Sequence, residues 1–158
     1  MDIDLQLTLL GRSAFAALLG FLIGLEREYR GKSAGDRTFA LLSFAAAAIT
    51  AIGVEMLGAD GTSRVIQGVL TGVGFLGGGL IFRRGPGDVH GLTTAASSWA
   101  VTALGVIVGA GGYLVASLGT VIVLVILELN SIPLLRRIGV RGGGSSADPS
   151  RPADPEGP

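Results

Sequence analysis

The side chains best able to do chemistry crowd into one stretch, LIGLEREYRGKSAGDRTFALL, residues 22–42. Glu26 and Glu28, with Asp36 close by in the following loop, are the hard oxygen donors that Mg²⁺ takes. Arg27, Arg30, Lys32 and Arg37 are interleaved with them, and cations so placed satisfy the same carboxylates as interfacial ion pairs. A structural charge cluster is the simpler of the two readings. Two other charges, Arg12 and Glu55, stand alone in apolar sequence, where an ionised group is costly and calls for a partner. On antiparallel helices their depths differ by roughly 7 Å, within the reach of a snorkelling arginine. Either they pair, or each reaches the outer interface by itself. LTTAASSWAVT, residues 92–102, sets Thr93, Thr94, Ser97, Ser98 and Thr102 on one half of a helical wheel, with Trp99 opposite. Such hydroxyls bond across helices, the commoner use, or line a wet cavity. The single histidine, His90, lies in the loop before them, as a pH-responsive group or as an exposed residue without a role. One histidine, no cysteine and no HExxH give no catalytic constellation, so an enzyme is not expected.

GVLTGVGFLGGGLIFRRG, residues 68–85, contains GVGFLG, a literal G-x-G-x-x-G. A dinucleotide loop needs a strand before it and a helix opening from it. This match lies instead in the middle of a charge-free apolar run, and context excludes it. As a membrane helix the run carries two GxxxG pairs, Gly68/Gly72 and Gly74/Gly78, and further pairs lie at Gly20/Gly24 and Gly105/Gly109. Glycines four apart let another backbone approach closely. Gly68, Gly72 and Gly79 fall on one face and Gly74, Gly77 and Gly78 on another, which predicts a central helix packed on both sides. The run Gly77–Gly79 has a second reading, a local unwinding that binds an ion.

The elements that must hold these residues are apolar spans. Hydrophobic residues make up 49% of the 158, charged residues 15%, and mean hydropathy is +0.62. Soluble domains carry about 25% charge, mixed through the chain. Here charge lies between five runs: Leu5–Leu25, Thr38–Leu57, Val65–Phe82, Leu92–Val108 and Gly111–Leu127. Runs of ~17–25 apolar residues match the hydrocarbon thickness, and backbone hydrogen bonding then demands helix. The expected fold is all-α, a polytopic membrane bundle of five transmembrane helices in residues 1–138. Arg27, Arg30, Lys32, Arg37, Arg83, Arg84, Arg136, Arg137, Arg141 and Arg151 fall on one side of such a bundle, against Arg64 on the other. Basic loops stay in the cytoplasm, which puts the N-terminus outside and the C-terminus inside. Asp2 and Asp4 stand where a secretory signal would be basic, so the first span is expected to be retained. Residues 139–158, rich in Gly, Ser and Pro, are expected to be a disordered tail. Zero net charge suggests no nucleic-acid partner, and no cysteine means no disulfide or thiolate metal site.

Three stretches in order, RSAFAALLGFLIGLEREYRGKSAGDRT, GVGFLGGGLIFRRG and VHGLTTAASSWAVTALGVIVGAGGY, resemble the membrane domain of the MgtC/SapB family. The resemblance runs from about Arg12 to Leu129, nearly the whole expected bundle. It carries family-motif status onto Arg12, Gly24, Glu26, Arg27, Glu28, Gly35, Arg37, Thr38, Gly74, Gly77, Gly91, Leu92, Thr93 and Thr94, none with a catalytic role. It implies a bacterial inner-membrane protein linked to growth in low magnesium and, in some pathogens, to survival inside macrophages. Family members have been described as Mg²⁺ transporters, but a regulatory role, including inhibition of the F-type ATP synthase, is the better-supported picture. Two departures stand out: His90 where Arg or Lys is usual, and Asp36 where an apolar residue is usual. Many members also carry a soluble ACT-like C-terminal domain, and regulation through it is expected to be absent here.

The leading expectation is a non-enzymatic regulator acting through intramembrane helix contacts. Its partners would be the bilayer and a second copy or another membrane protein, such as the F-type ATP synthase. The functional candidates are Arg12, Glu26, Arg27, Glu28, Arg37, Thr38, Glu55, Gly74, Gly77, Gly78, His90, Thr93 and Thr94, with no cofactor expected. The runner-up is a channel or transporter for Mg²⁺ or another cation, fed by the acidic outer residues Asp2, Asp4, Glu55 and Asp60. A soluble nucleotide-binding protein is the third class.

Overall fold

The computed structural model describes residues 1–85 and 88–129, without the side chains of residues 83–85 and 88. Five helices run in chain order: α1 (Ile3–Tyr29), α2 (Asp36–Met56), α3 (Gly58–Leu80), α4 (Leu92–Gly109) and α5 (Tyr113–Glu128). Each expected span becomes one of them. α1, α2 and α4 are long and apolar enough to cross a membrane, and α5, at 16 residues, is a shorter apolar helix. α3 has 23 residues but is not in that set; its polar first turns and many glycines dilute its apolar run. The chain divides after Leu127, and of the second part only Glu128 and Leu129 are described. The expected boundary at residue 138 and the tail 139–158 lie outside the described residues.

The ends of the helices follow from local chemistry. Lys32 N–H bonds the Arg27 carbonyl, and Gly112 N–H bonds the Ile107 carbonyl. Both are the six-to-one bond of a Schellman turn, so α1 and α4 finish in the same way, with a glycine at the reversal. Between α3 and α4 the expected loop is a small hairpin, β1 (Phe82–Gly85) against β2 (Asp88–His90), with Phe82 opposite His90 and an irregularity between Arg83 and Gly85. Arg64, expected in a loop, is helical, because α3 begins at Gly58 directly after the Leu57 cap.

α2 is the centre of the bundle. Its small residues Ser43, Ala46, Ala47, Thr50 and Ala51 are all buried, and α1 and α4 seat glycines on them from two sides. A Cβ on Gly20 would fall on the Phe39 carbonyl oxygen, and one on Gly24 would lie 2.5 Å from Asp36 Cα. From α4, a Cβ on Gly105 would lie 2.5 Å from the Ser43 carbonyl oxygen and one on Gly109 2.5 Å from that of Ala47. Ile23, Phe39, Val101 and Val108 fill the remaining core. α5 adds Ala116 and Thr120, and Tyr113 meets Phe15 edge-on at 5.7 Å.

This corrects the expectation for α3. It is peripheral, packs on α4 and α2, and buries only Val73 and Gly77. Cβ atoms on Gly68, Gly72, Gly74, Gly78 or Gly79 would meet nothing within 4 Å. A GxxxG pair permits close approach but does not compel it; the small-residue surface that accepts a glycine face belongs to α2, and α1 and α4 occupy it. Nor does the helix unwind at Gly77–Gly79, since α3 continues to Leu80. Around the outside, Leu7, Leu18, Leu41, Phe75, Leu114 and Val125 stand exposed, a surface suited to lipid rather than water.

Candidate functional site

Apart from the α3 glycines, the candidate residues gather at two levels of α1, around Arg12 and around its C-terminal end. In the third turn of α1, Arg12 meets Glu55, with Nη1 3.0 Å from Glu55 Oε1. The same nitrogen donates to the Gly109 carbonyl at 3.2 Å. One guanidinium thus ties α1 to the last turn of α2 and to the carbonyl end of α4, where the helix dipole favours a cation. The side chains are 16% and 31% exposed, and Arg12 Nε is enclosed without a partner. The Gly109 carbonyl was not legible as an acceptor, because sequence pairs charges and leaves backbone ends out. Arg12→Ala and Glu55→Ala are each expected to lower the thermal midpoint in detergent. The double variant should fall short of their sum by about 1 kcal/mol, and strict additivity would mean that the pair is uncoupled.

At the C-terminal end of α1, Glu26 is held by two arginines. Its Oε2 takes Arg27 Nε, and its Oε1 takes Arg27 Nη2 at 2.5 Å and Arg30 Nε at 2.9 Å. Arg27 is 2% exposed, so this clamp is interior to the α1–α2 junction. Glu28 turns the other way and accepts from the Asp36 N–H at 3.3 Å, at the start of α2. Asp36 Oδ1 accepts from the Arg37 N–H at 2.5 Å, and Arg37 and Thr38 line a shallow recess with Glu28 and Gly35. The acidic residues proposed for Mg²⁺ are therefore divided: Glu26 is engaged by guanidinium groups, and Glu28 and Asp36 face the helix start. Among the described residues, no three His, Cys, Asp or Glu side chains converge as a metal site. The set does not fit a resident cation.

Beside this junction lies a cavity of about 540 Å³ lined by Lys32, Ser33, His90, Thr93 and Thr94, with Phe82 and Gly91 among its walls. His90 is in β2 rather than in a free loop, and stacks on Phe82 at 5.7 Å and 17°. Gly91 caps α4 with φ +88°, and a Cβ there would fall on the Leu80 carbonyl oxygen. Both the backbone angle and the space require glycine. Lys32 and Phe82 went unremarked as site residues, since only the fold brings them to the α4 start.

The hydroxyl stripe of α4 also differs from expectation. Ser97, Ser98 and Thr102 are buried, and Trp99 stands on the exposed side. Their hydroxyls donate not across helices but to carbonyls of their own helix: Ser97 to Thr93 at 2.8 Å, Ser98 to Thr94 at 2.9 Å, and Thr102 to Ser98 at 2.9 Å. A hydroxyl four residues on reaches the carbonyl of its own previous turn before any neighbour. Gly74 and Gly78 face open space, and Gly77 alone touches a neighbour, Ala95, across 3.7 Å from where its Cβ would be.

The chain is 39% identical over 140 residues to protein SrpB of Synechococcus elongatus, covering 80% of this chain and 76% of that one. It is 41% identical over 116 residues to protein MgtC of Brucella abortus, covering 73% of this chain and 48% of that one. A third relative, the putative magnesium transporter YhiD of Escherichia coli, is 38% identical over 127 residues, with 75% and 58% covered. The chain thus spans about three-quarters of SrpB but only about half of Brucella MgtC. None of these names denotes an enzyme. No solved structure matches. The family model matched is the MgtC family, over residues 14–132, and the protein, with its apolar helices, is a membrane protein that belongs to the MgtC family.

Proposed function

We propose that the protein is a non-enzymatic, multi-pass inner-membrane regulator. On this reading all five helices cross the bilayer, the N-terminus is outside and the C-terminus cytoplasmic. It acts on a membrane process linked to magnesium limitation through contacts between helices, with a second copy or another membrane protein, the F-type ATP synthase among them, as partner. The observation that carries the reading is the seating of α1 and α4 on α2. Backbones approach so closely at Gly20, Gly24, Gly105 and Gly109 that a methyl group has no room, so the heart of the bundle is suited to rigidity rather than to conduction. The buried hydroxyls support it, because those of Ser97, Ser98, Thr102 and Thr120 are engaged by their own helices and are not turned toward a path.

The second reading, a cation transporter, draws on the name of the Escherichia coli relative and on the acidic residues Asp2, Asp4, Glu55 and Asp60. Glu55 is already engaged by Arg12, which weakens that reading. The pure protein in sealed liposomes, with a Mg²⁺-sensitive dye inside, decides between them. The expected result is influx no faster than in protein-free vesicles. Reproducible flux, lost in Glu55→Gln, would overturn the regulatory reading.

A further inference from the structure

We propose that the cavity between the α1–α2 turn, the hairpin and the start of α4 is a binding site for a phosphoryl anion. The start of α4 supplies the donors. Its first amide-to-carbonyl bond runs from Ala95 to Gly91, so the N–H groups of Leu92, Thr93 and Thr94 precede the ladder. The cap residue is glycine, and no side chain caps the helix. Free N–H groups at the positive end of an 18-residue helix suit an oxyanion.

A second observation, independent of the helix end, points to a ligand. Thr94 is 4% exposed and lines the cavity, and among the described residues its hydroxyl makes no hydrogen bond, although its carbonyl accepts from Ser97 and Ser98. Nor is that hydroxyl sealed in protein. Among the described residues the enclosed unpaired side-chain atoms are Arg12 Nε, Ser43 Oγ and Thr50 Oγ1; Thr94 Oγ1 is not one of them, and the open space that Thr94 lines is this cavity. A donor left unmet in a residue this buried is costly unless something from the cavity accepts from it.

Charge is complementary. Lys32 lines the same cavity and makes no ion pair among the described residues, whose pairs are those of Arg12, Arg27 and Arg30. Among the described lining residues none is acidic, and His90 and Ser33 add polar walls. Backbone amides, a hydroxyl and an ammonium around an open-sided cavity are the donor set of a tetrahedral phosphate. The phosphate of an anionic lipid headgroup and free phosphate present the same chemistry.

The test uses the full chain in a nonionic detergent, with the thermal midpoint followed by circular dichroism. One arm adds inorganic phosphate against chloride at matched ionic strength. The other adds phosphatidylglycerol against phosphatidylcholine in mixed micelles. A saturable rise in the midpoint is expected in at least one arm; phosphate alone would identify a soluble ligand, and phosphatidylglycerol alone a headgroup. Thr94→Val and Lys32→Gln should each weaken the interaction roughly tenfold, the loss of one hydrogen bond to a charged group. Thr94→Ser should retain it, and Arg64→Gln, an equal loss of charge on α3, should leave it unchanged. If Thr94→Val fails to fold, the contrast of Lys32→Gln with Arg64→Gln decides. No saturable shift in either arm, or equal weakening by Lys32→Gln and Arg64→Gln, would overturn the site.

Discussion

Gly105→Val is expected to leave little folded protein in detergent, while Gly72→Ala melts at or above the wild-type temperature. The two glycines belong to the same kind of sequence pair, and only their surroundings differ. A Cβ on Gly105 would lie 2.5 Å from the Ser43 carbonyl oxygen and 3.0 Å from Ala46 Cβ. Neither atom can rotate away, because both belong to α2 where it is buried on two sides. The helices must part, and Gly109, whose Cβ would meet Ala47 and Thr50 one turn on, loses its seat with Gly105. Overpacking costs about 1–3 kcal/mol per misfit when neighbours can adjust; here the misfit is with a backbone and propagates along the seam. Gly105→Ala should thus cost several kcal/mol and Gly105→Val more. A Cβ on Gly72 meets nothing within 4 Å, and replacing a helical glycine by alanine gains up to about 1 kcal/mol. If Gly72→Ala were as damaging as Gly105→Ala, the assignment of α2 as the centre would be wrong.

The same contrast explains what sequence made legible. Five apolar runs became five helices because length and apolarity act locally, through helical hydrogen bonding and exclusion from water. Arg12 and Glu55 came together because each was a lone charge in apolar sequence, and at similar depth few partners were possible. The central helix was misplaced because it depends on two surfaces at once. Glycine pairs on α1, α3 and α4 look alike along the chain, while the deciding small residues of α2, Ser43 through Ala51, are alanine-rich and carry no conspicuous motif. Likewise Lys32, Phe82, His90 and Thr94 are up to 62 positions apart, and a helix reversal and a hairpin that sequence left as loops bring them around one cavity.

Glu26→Gln is the other substitution expected to be severe, and its reason bears on how magnesium chemistry is assigned to this chain. Glu26 and Arg27 are 10% and 3% exposed as side chains, and Arg27 has no other acidic partner among the described residues. Glutamine keeps the shape but strands the arginine. Removing one member of a buried pair costs about 3–5 kcal/mol, most of it from the charge left behind. The double variant Glu26→Gln/Arg27→Met should therefore melt above Glu26→Gln alone, since replacing both charges removes the stranded one. Arg30 changes less, because at 31% exposure it can turn to solvent. A Mg²⁺ ligand predicts the reverse pattern: Mg²⁺ would raise the wild-type midpoint, Glu26→Gln would abolish that rise, and Arg27→Met would strengthen it by freeing the carboxylate. A structural clamp predicts midpoints that follow the arginine and ignore added Mg²⁺. Because both oxygens of Glu26 already face guanidinium nitrogens, the clamp is the expected outcome, and any magnesium dependence of this protein would then have to arise outside the Glu26 clamp.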